Sequence, residues 1–534
     1  MAKSSLFLIW CAFVLRGLFY CSFVPLWEGY DEWAHFAYIQ QLAVSGEWLV
    51  DRDEMISREV GTSLRLAPVP WELRTYQEPS VTEDTYWRLP EPARLERQRQ
   101  LVNLPMSWGR ERDGGGLRIY EALQPPLYYW AMSAVCRMAA KLLLLDRVYL
   151  LRYVSLLLGS LLVPLTYLIV RRVAAERVAL VASVLVTLMP ELMVNLCRVG
   201  NECLGIVLYS CFTLLCLELF GGVPGKMLGL RVGVVSGLGL LTKAYFLTAL
   251  PAVAVLFLWM FWRTKTRAYV MCQGIAAAGS ALLVAGWWYH HNLVTTGTLS
   301  GLSESVSLLH YTPEDYLDGA LRLPWLRAVD SILVSHIWYG AWSSLLVRSW
   351  IYHFFFGVIA AVVAGVGLQL WRQRAAGLSP IYPLISVYGF LWVGQLYNVL
   401  LLFLSKGAAT SMGWYLYSVV SAEVALLVLG LLAFVRQGHV WILCALAVCF
   451  AALDLYSVHF VSIPYYSGLT AHLTNGSIAA FHLGQLQKIG LGEILVRLSV
   501  NKASWLGAGM LGALWGCYFL GTCGLLIRGV RRDL

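Results

Sequence analysis

The chain has 534 residues, of which 59% are hydrophobic and 13% charged, and its mean hydropathy is +0.65. Soluble domains average roughly a quarter charged residues, so this composition excludes a soluble globular protein and indicates an all-α integral membrane protein. The net charge of +9 does not imply nucleic acid, because the basic residues form short clusters at the ends of apolar runs, as orientation signals do.

Apolar runs of spanning length lie at about 5–26, 147–170, 177–194, 202–220, 227–242, 244–262, 268–289, 349–371, 381–404, 413–435, 439–457 and 505–527. They predict about twelve transmembrane helices (11–13). The first run reaches a spanning length without a small-residue cleavage site, so it is expected to stay as the first span. The run at 121–142 is interrupted by Arg137 and Lys141. Reading it as a span would put every later basic cluster on the wrong side, so it is expected to lie along the outer interface.

The basic residues Arg171, Arg172, Arg177, Lys226, Arg263, Lys265, Arg267, Arg372, Arg374 and Arg436 then fall inside, and the short outside loops keep only Arg198, Lys243 and Lys406. The expected organisation is a first transmembrane helix at 1–26 and an extracytoplasmic loop at 27–146, with juxtamembrane helices at about 31–45 and 121–142. Spans two to seven fill 147–289, followed by a loop at 290–348. Spans eight to eleven fill 349–457, a loop covers 458–504, and 505–534 hold the last helix and tail. Both termini are expected to be cytoplasmic, and the membrane the plasma (inner) membrane.

The stretch Gly46–Tyr120 carries 24 of the chain's 71 charges, with eleven Arg and no Lys. It reads as a small ordered subdomain or a lid, and Gly114-Gly115-Gly116 as a hinge or turn. Most of the 12 cysteines lie in apolar runs. Cys197 and Cys203 flank one short loop, where a bridge is one reading. No CxxC or HExxH spacing occurs, so no dedicated zinc site is expected. No cofactor is required, and nothing in the sequence supports a divalent metal. Gly357, Ala361 and Gly365 read as a helix-packing stripe.

Asp31-Glu32 stands where the chain leaves the first run, a depth at which charge is costly and usually functional. Neighbouring helical residues point about 100° apart, so one acid faces a given pocket while the other anchors. His35 follows one turn after Asp31, and Tyr38 comes about a turn later. A carboxylate with His and Tyr below it can deprotonate a hydroxyl and grip a sugar; helix N-capping is the other reading.

Gln124-Pro125-Pro126 reads as a helix start that presents Glu121 and Gln124, followed by Tyr128, Tyr129 and Trp130 as an aromatic belt. Glu202 is a second acid on the same side, with Arg198 as salt-bridge partner or substrate contact. Lys243 lies between two apolar runs, where its ammonium meets a lipid phosphate, a carboxylate such as Glu202, or the headgroups by snorkelling. His290, His291 and Asn292 sit at a span exit and suit hydrogen bonding at a pocket rim. Gly413-Trp414-Tyr415-Leu416-Tyr417 is aromatic belt or sugar-stacking surface. Asp454 and Glu423 are ionisable residues within or near the ends of runs.

Taken in order, Asp31-Glu32, Glu121-Ala-Leu-Gln-Pro-Pro-Leu-Tyr-Tyr-Trp, Arg152-Tyr-Val-Ser-Leu-Leu-Leu-Gly, Gly239-Leu-Leu-Thr-Lys243 and Gly413-Trp-Tyr-Leu-Tyr resemble the GT-C superfamily of integral-membrane glycosyltransferases. That superfamily includes protein O-mannosyltransferases and bacterial aminoarabinose transferases. The Asp-Glu-x-Ala-His form resembles a bacterial branch of predicted members. The resemblance implies a polyprenyl-phosphate-linked sugar donor, a glycan, lipid or protein acceptor, and an inverting transfer at an outward-facing site.

On that view Asp31 is the general base and Lys243 holds the donor phosphate. Glu121 and Glu202 then contact sugar or acceptor. Trp414, and the lack of Arg before Asn292, depart from the pattern and remove two phosphate ligands. His291 or an Arg of 46–120 would have to substitute. The alternatives are a transporter or flippase of lipid-linked saccharide, or a non-catalytic membrane assembly component.

Overall fold

A computed structural model describes residues 2–75, 81–112, 115–221, 225, 227–373, 379–435 and 440–530. Gly114 of the expected hinge, and Lys226, Arg374 and Arg436 of the basic clusters, lie outside them. The described residues are nearly all helical, with isolated bridges and no strand. Ten helices are long and apolar enough to cross a membrane, and an eleventh counts if a pair bent by 65°, Glu176–Leu188 and Pro190–Leu196, is one span. The chain is a multi-pass membrane protein. Its outer helices turn large apolar side chains outward, among them Leu283, Val294 and Val363, as lipid contact requires.

The expected span at 227–242 is shorter than predicted. Its helix covers only Leu228–Leu240, 13 residues where about 20 are needed to cross. It lies against Arg267–Thr296 through Gly229, Gly233 and Gly237. A Cβ at these positions would strike Gln273 and Ala277 backbone and the Val284 side chain, so a four-residue glycine spacing lets two helices approach closely. In the Gly357, Ala361, Gly365 stripe, Gly365 meets Gly430 of a neighbouring helix, while Gly357 faces open space.

Charges inside the bundle are matched. The Asp454 carboxylate takes Arg16 at 2.9 Å and hydrogen bonds from Tyr20 and Tyr518 at 2.5 Å each. Glu423 pairs with His336 at 2.7 Å. Cys197 and Cys203 are both free thiols.

The segments between spans converge beyond the end of helix α1 (Ala2–Phe23). The Glu28 carboxylate accepts from Ser343 N and Oγ at 2.8 and 2.9 Å. Asp84 accepts from Tyr465 Oη at 2.5 Å and from His472 N at 2.7 Å. Parts of three expected loops are thereby tied together. The second helix, α2 (Glu32–Ser45), is buried along most of its length.

Candidate active site

After α1 the chain turns sharply, and Trp27 (φ 64°) and Asp31 (φ 55°) both adopt left-handed backbone. Asp tolerates that region better than most residues. Asp31 is the N-cap residue of α2, yet its side chain makes no capping hydrogen bond. Its Oδ1 instead accepts from Tyr120 Oη at 2.6 Å. The carboxylate is half-buried, which leaves it reachable.

Glu32 takes the anchoring role. Both its oxygens are held by Arg152, at 2.7 and 2.5 Å, and Val199 N adds a third bond at 3.0 Å. Glu32 and Arg152 are fully buried. Arg152 also donates to the carbonyls of Cys21, Val24 and Pro25 at 3.0, 2.8 and 2.7 Å. One side chain thus ties the end of α1 to the start of α2. The expectation of a catalytic Glu32 is corrected: none of its surface is available to a substrate.

His35 lies below Asp31 with Nδ1 2.8 Å from Tyr129 Oη and 3.5 Å from a Glu121 oxygen. Burial holds its imidazole well below the usual range, so it is neutral. Tyr38 stacks on Tyr129 with centroids 4.0 Å apart, and its hydroxyl has no partner. Tyr128 and Tyr129 are wholly buried, which corrects their reading as a membrane-interface belt.

Glu121 is buried and accepts from Tyr129 Oη at 3.2 Å. Burial, followed by the neighbouring Asp31 charge, pushes its carboxyl up to about 8. Gln124 is half-buried with an unpartnered Oε1. Three residues on, Leu127 N donates to Leu241 O at 2.9 Å. This contact places the Glu121 turn beside the Thr242-Lys243 loop.

Glu202 bridges two cations, Arg198 at 2.6 Å and Lys243. Lys243 Nζ also donates to Asn201 Oδ1 at 3.0 Å and lies 5.5 Å from the Tyr415 ring centroid. Arg198 reaches the Tyr30 carbonyl and Asn195 Oδ1. Its side chain packs on Gly29, where a Cβ would sit 2.7 Å from that of Arg198. Burial raises the Asp31 pKa above its usual value, while the Tyr120 hydroxyl, Arg198 and Lys243 pull it down. Asp31, Glu121, Glu202, Arg198 and Lys243 therefore form one electrostatic cluster in which Asp31 is the most exposed carboxylate.

His290, His291 and Asn292 stand apart. The histidines are exposed, and the buried Asn292 amide is taken up by the Leu299 and Ser300 carbonyls and by Arg52. No hydrogen bond, ion pair or ring contact joins the three to the Asp31 cluster. Trp414 stacks on Tyr30 at 3.7 Å. Tyr120, Tyr129, Asn201 and Arg152 are the members that sequence reasoning did not single out as contacts. Tyr120 adjoins Glu121, and a tyrosine next to a candidate acid was the one available signal. Among the described residues no three His, Cys, Asp or Glu side chains converge as a metal-ligand set.

No family model and no curated protein matches the chain. Among solved structures it is similar to ArnT from Cupriavidus metallidurans in the apo state, at 14% identity over 99% of this chain and 78% of that one, with a TM-score of 0.48. ArnT bound to undecaprenyl phosphate gives 14% identity over 97% and 76%, with a TM-score of 0.46. AglB from Archaeoglobus fulgidus, in complex with an inhibitory peptide and a dolichol-phosphate, gives 10% over 93% and 60%, with a TM-score of 0.38. ArnT and AglB are both GT-C superfamily members.

Proposed function

We propose that the protein is a membrane glycosyltransferase of GT-C type, moving a sugar from a polyprenyl-phosphate donor to an acceptor hydroxyl on the extracytoplasmic face. One observation carries this reading: the half-buried, non-capping Asp31 carboxylate above a buried cluster of two cations and two acids. A general base works best with a pKa near the operating pH, and burial moves Asp31 in that direction.

Asp31 takes the acceptor hydroxyl's proton, and the freed oxygen attacks the anomeric carbon from the face opposite the phosphate. The carbon–oxygen bond to the polyprenyl phosphate breaks, and the phosphate leaves with the bonding electrons. Tyr120 orients Asp31, and Glu32 with Arg152 fixes the turn that carries it. Glu121, protonated at neutral pH, donates a hydrogen bond to sugar or acceptor. Lys243 and Arg198 face the leaving phosphate in partnership with Glu202.

The test compares wild type with Asp31→Asn on labelled polyprenyl-phosphate sugars and candidate acceptors. Loss of transfer by about 10²–10⁴-fold is expected for removal of a general base, with folding unchanged. Transfer persisting at the normal rate removes Asp31 from that role. Saccharide crossing the membrane without a new glycosidic bond replaces the enzyme by a translocator.

A further inference from the structure

Ser343 braces the turn that carries Asp31. Its amide and hydroxyl donate to the two Glu28 carboxyl oxygens at 2.8 and 2.9 Å, and its Oγ accepts from Trp71 N at 3.3 Å. Two residues earlier, Ala341 N donates to Tyr30 Oη at 3.2 Å. The turn 340–344 therefore grips the chain at positions 28 and 30, just before the proposed base. Backbone on both sides of this grip is sparsely populated: Ala341 (φ 64°) and Ser344 (φ 51°) are left-handed, as are Trp27 and Asp31. Such residues cost about 1–3 kcal/mol each and persist only where surrounding contacts over-determine them. Glu191 holds the start of the turn through Tyr339 N and Gly340 N, at 2.8 and 3.0 Å.

At the other end of the turn, His472 takes the Ser343 carbonyl. The imidazole has no exposed surface, and both its nitrogens meet oxygens. Nε2 lies 2.9 Å from Ser343 O, and Nδ1 lies 3.0 Å from Asp84 Oδ2. A main-chain carbonyl can only accept. Asp84 is an acceptor too, since it takes Tyr465 Oη at 2.5 Å and His472 N at 2.7 Å and its pKa is held down to about 2. Neutral imidazole has one N–H and satisfies one of these oxygens, whereas imidazolium satisfies both. The ring also lies flat on Trp71, with centroids 4.0 Å apart, where a cation is favoured.

We propose that His472, as the imidazolium, is a positioning residue for the Asp31 base, pinning the 340–344 turn that in turn fixes Glu28 and Tyr30. This rests on the glycosyltransferase reading. When pH rises and one ring proton leaves, one of the two oxygens loses its donor and the turn loosens. Other charged groups surround the ring. Tyr465 meets it edge-on at 5.1 Å, Arg74 lies 4.2 Å from the Trp71 ring centroid, and Glu72 accepts from Ser344 Oγ at 2.6 Å. Burial pushes Glu28 well up, and pushes Glu83, beside Asp84, up to about 8.

The full chain in detergent micelles is compared with His472→Gln, whose amide offers a donor toward only one of the two oxygens. The quantity read is the ratio of wild-type to variant kcat between about pH 5 and 8, where histidine ordinarily changes charge. Titration of Asp31, Glu28, Glu83 and Glu121 is common to both proteins and cancels. The ratio is expected to be about 10–100 at low pH, the loss that a displaced catalytic group brings, with KM little changed. It is expected to fall toward one as the ring loses its proton. A ratio near one at low pH, or one that is flat throughout, overturns the proposal, since a packing role has no such titration.

Hydrogen exchange reads the pin without catalysis. Protection of amides 28–34 in wild type, corrected for intrinsic exchange, is expected to drop about tenfold over the same rise in pH, the loss of one hydrogen bond. His472→Gln is expected to exchange at the high-pH rate throughout. Should the variant fail to fold, the wild-type course decides alone, and protection independent of pH overturns the pin. A wild type that transfers no sugar defeats the transferase reading instead, and exchange still reports whether His472 holds the turn.

Discussion

Glu32→Gln separates an anchor from a catalyst. Gln keeps the shape of the side chain, removes its charge, and strands the Arg152 guanidinium in a site with no exposed surface. Breaking a buried ion pair by neutralising one partner costs about 3–5 kcal/mol. Domain stabilities run to only about 5–15 kcal/mol, so the loss is readily seen. Arg152→Gln is expected to cost at least as much, because the Cys21, Val24 and Pro25 carbonyls lose donors as well. The double variant is expected to cost less than the two singles together by about 2 kcal/mol or more, since no stranded charge remains.

The assay is unfolding in mixed detergent micelles, followed by tryptophan fluorescence, with sugar transfer measured per folded molecule. Transfer by Glu32→Gln is expected to fall less than about tenfold, well short of the loss on removing a general base. A Glu32→Gln protein of wild-type stability with abolished transfer refutes the anchor assignment. A coupling energy indistinguishable from zero does the same.

Tyr120→Phe removes the hydrogen bond that favours ionised Asp31, so the acid limb of the pH–rate profile is expected to move upward; an unmoved limb removes Tyr120 from control of the base. Glu121 is protonated below about 8 and loses its donor proton as pH rises through that value. Activity is therefore expected to decline on the alkaline side, and Glu121→Gln to abolish that decline while keeping most activity at pH 7. Gly413→Ala places a Cβ against the Ile332 carbonyl and His336 backbone; overpacking of this kind costs about 1–3 kcal/mol or more, read as a lower midpoint in the same micelle assay. Asp84 is held down to about 2 by hydrogen bonds from His472 and Tyr465, against the opposing cost of burial. Its depressed pKa contributes stability above roughly 4 that fades as pH falls toward 2, and hydrogen exchange at His472 N is expected to quicken over that window.

The spans were legible because a bilayer imposes length and apolarity on each helix separately. What composition concealed was where helices stop. The run 227–242 stops at Leu240, and the chain then turns to present Lys243. The run 268–289 continues as helix to Thr296, which leaves His290–Asn292 inside a helix rather than in a loop. Pairing was equally hidden. Arg152 lies 120 residues from Glu32, and no local pattern could show which of two adjacent acids it claims. Asp31 was legible as a candidate from its depth, but its freedom depends on a left-handed backbone and on Tyr120, both tertiary outcomes.

The charge arrangement gives this geometry a direction. Glu202 is shared between Arg198 and Lys243, so the cluster keeps one positive charge in excess, and ionised Asp31 balances it while Glu121 stays protonated. On the proposed reading, the acceptor's proton neutralises Asp31 just as negative charge develops on the departing phosphate. The cationic excess is then balanced by the leaving group instead of the base. Preorganised charge that strengthens its hold only as the reaction proceeds favours the transition state over the bound substrate.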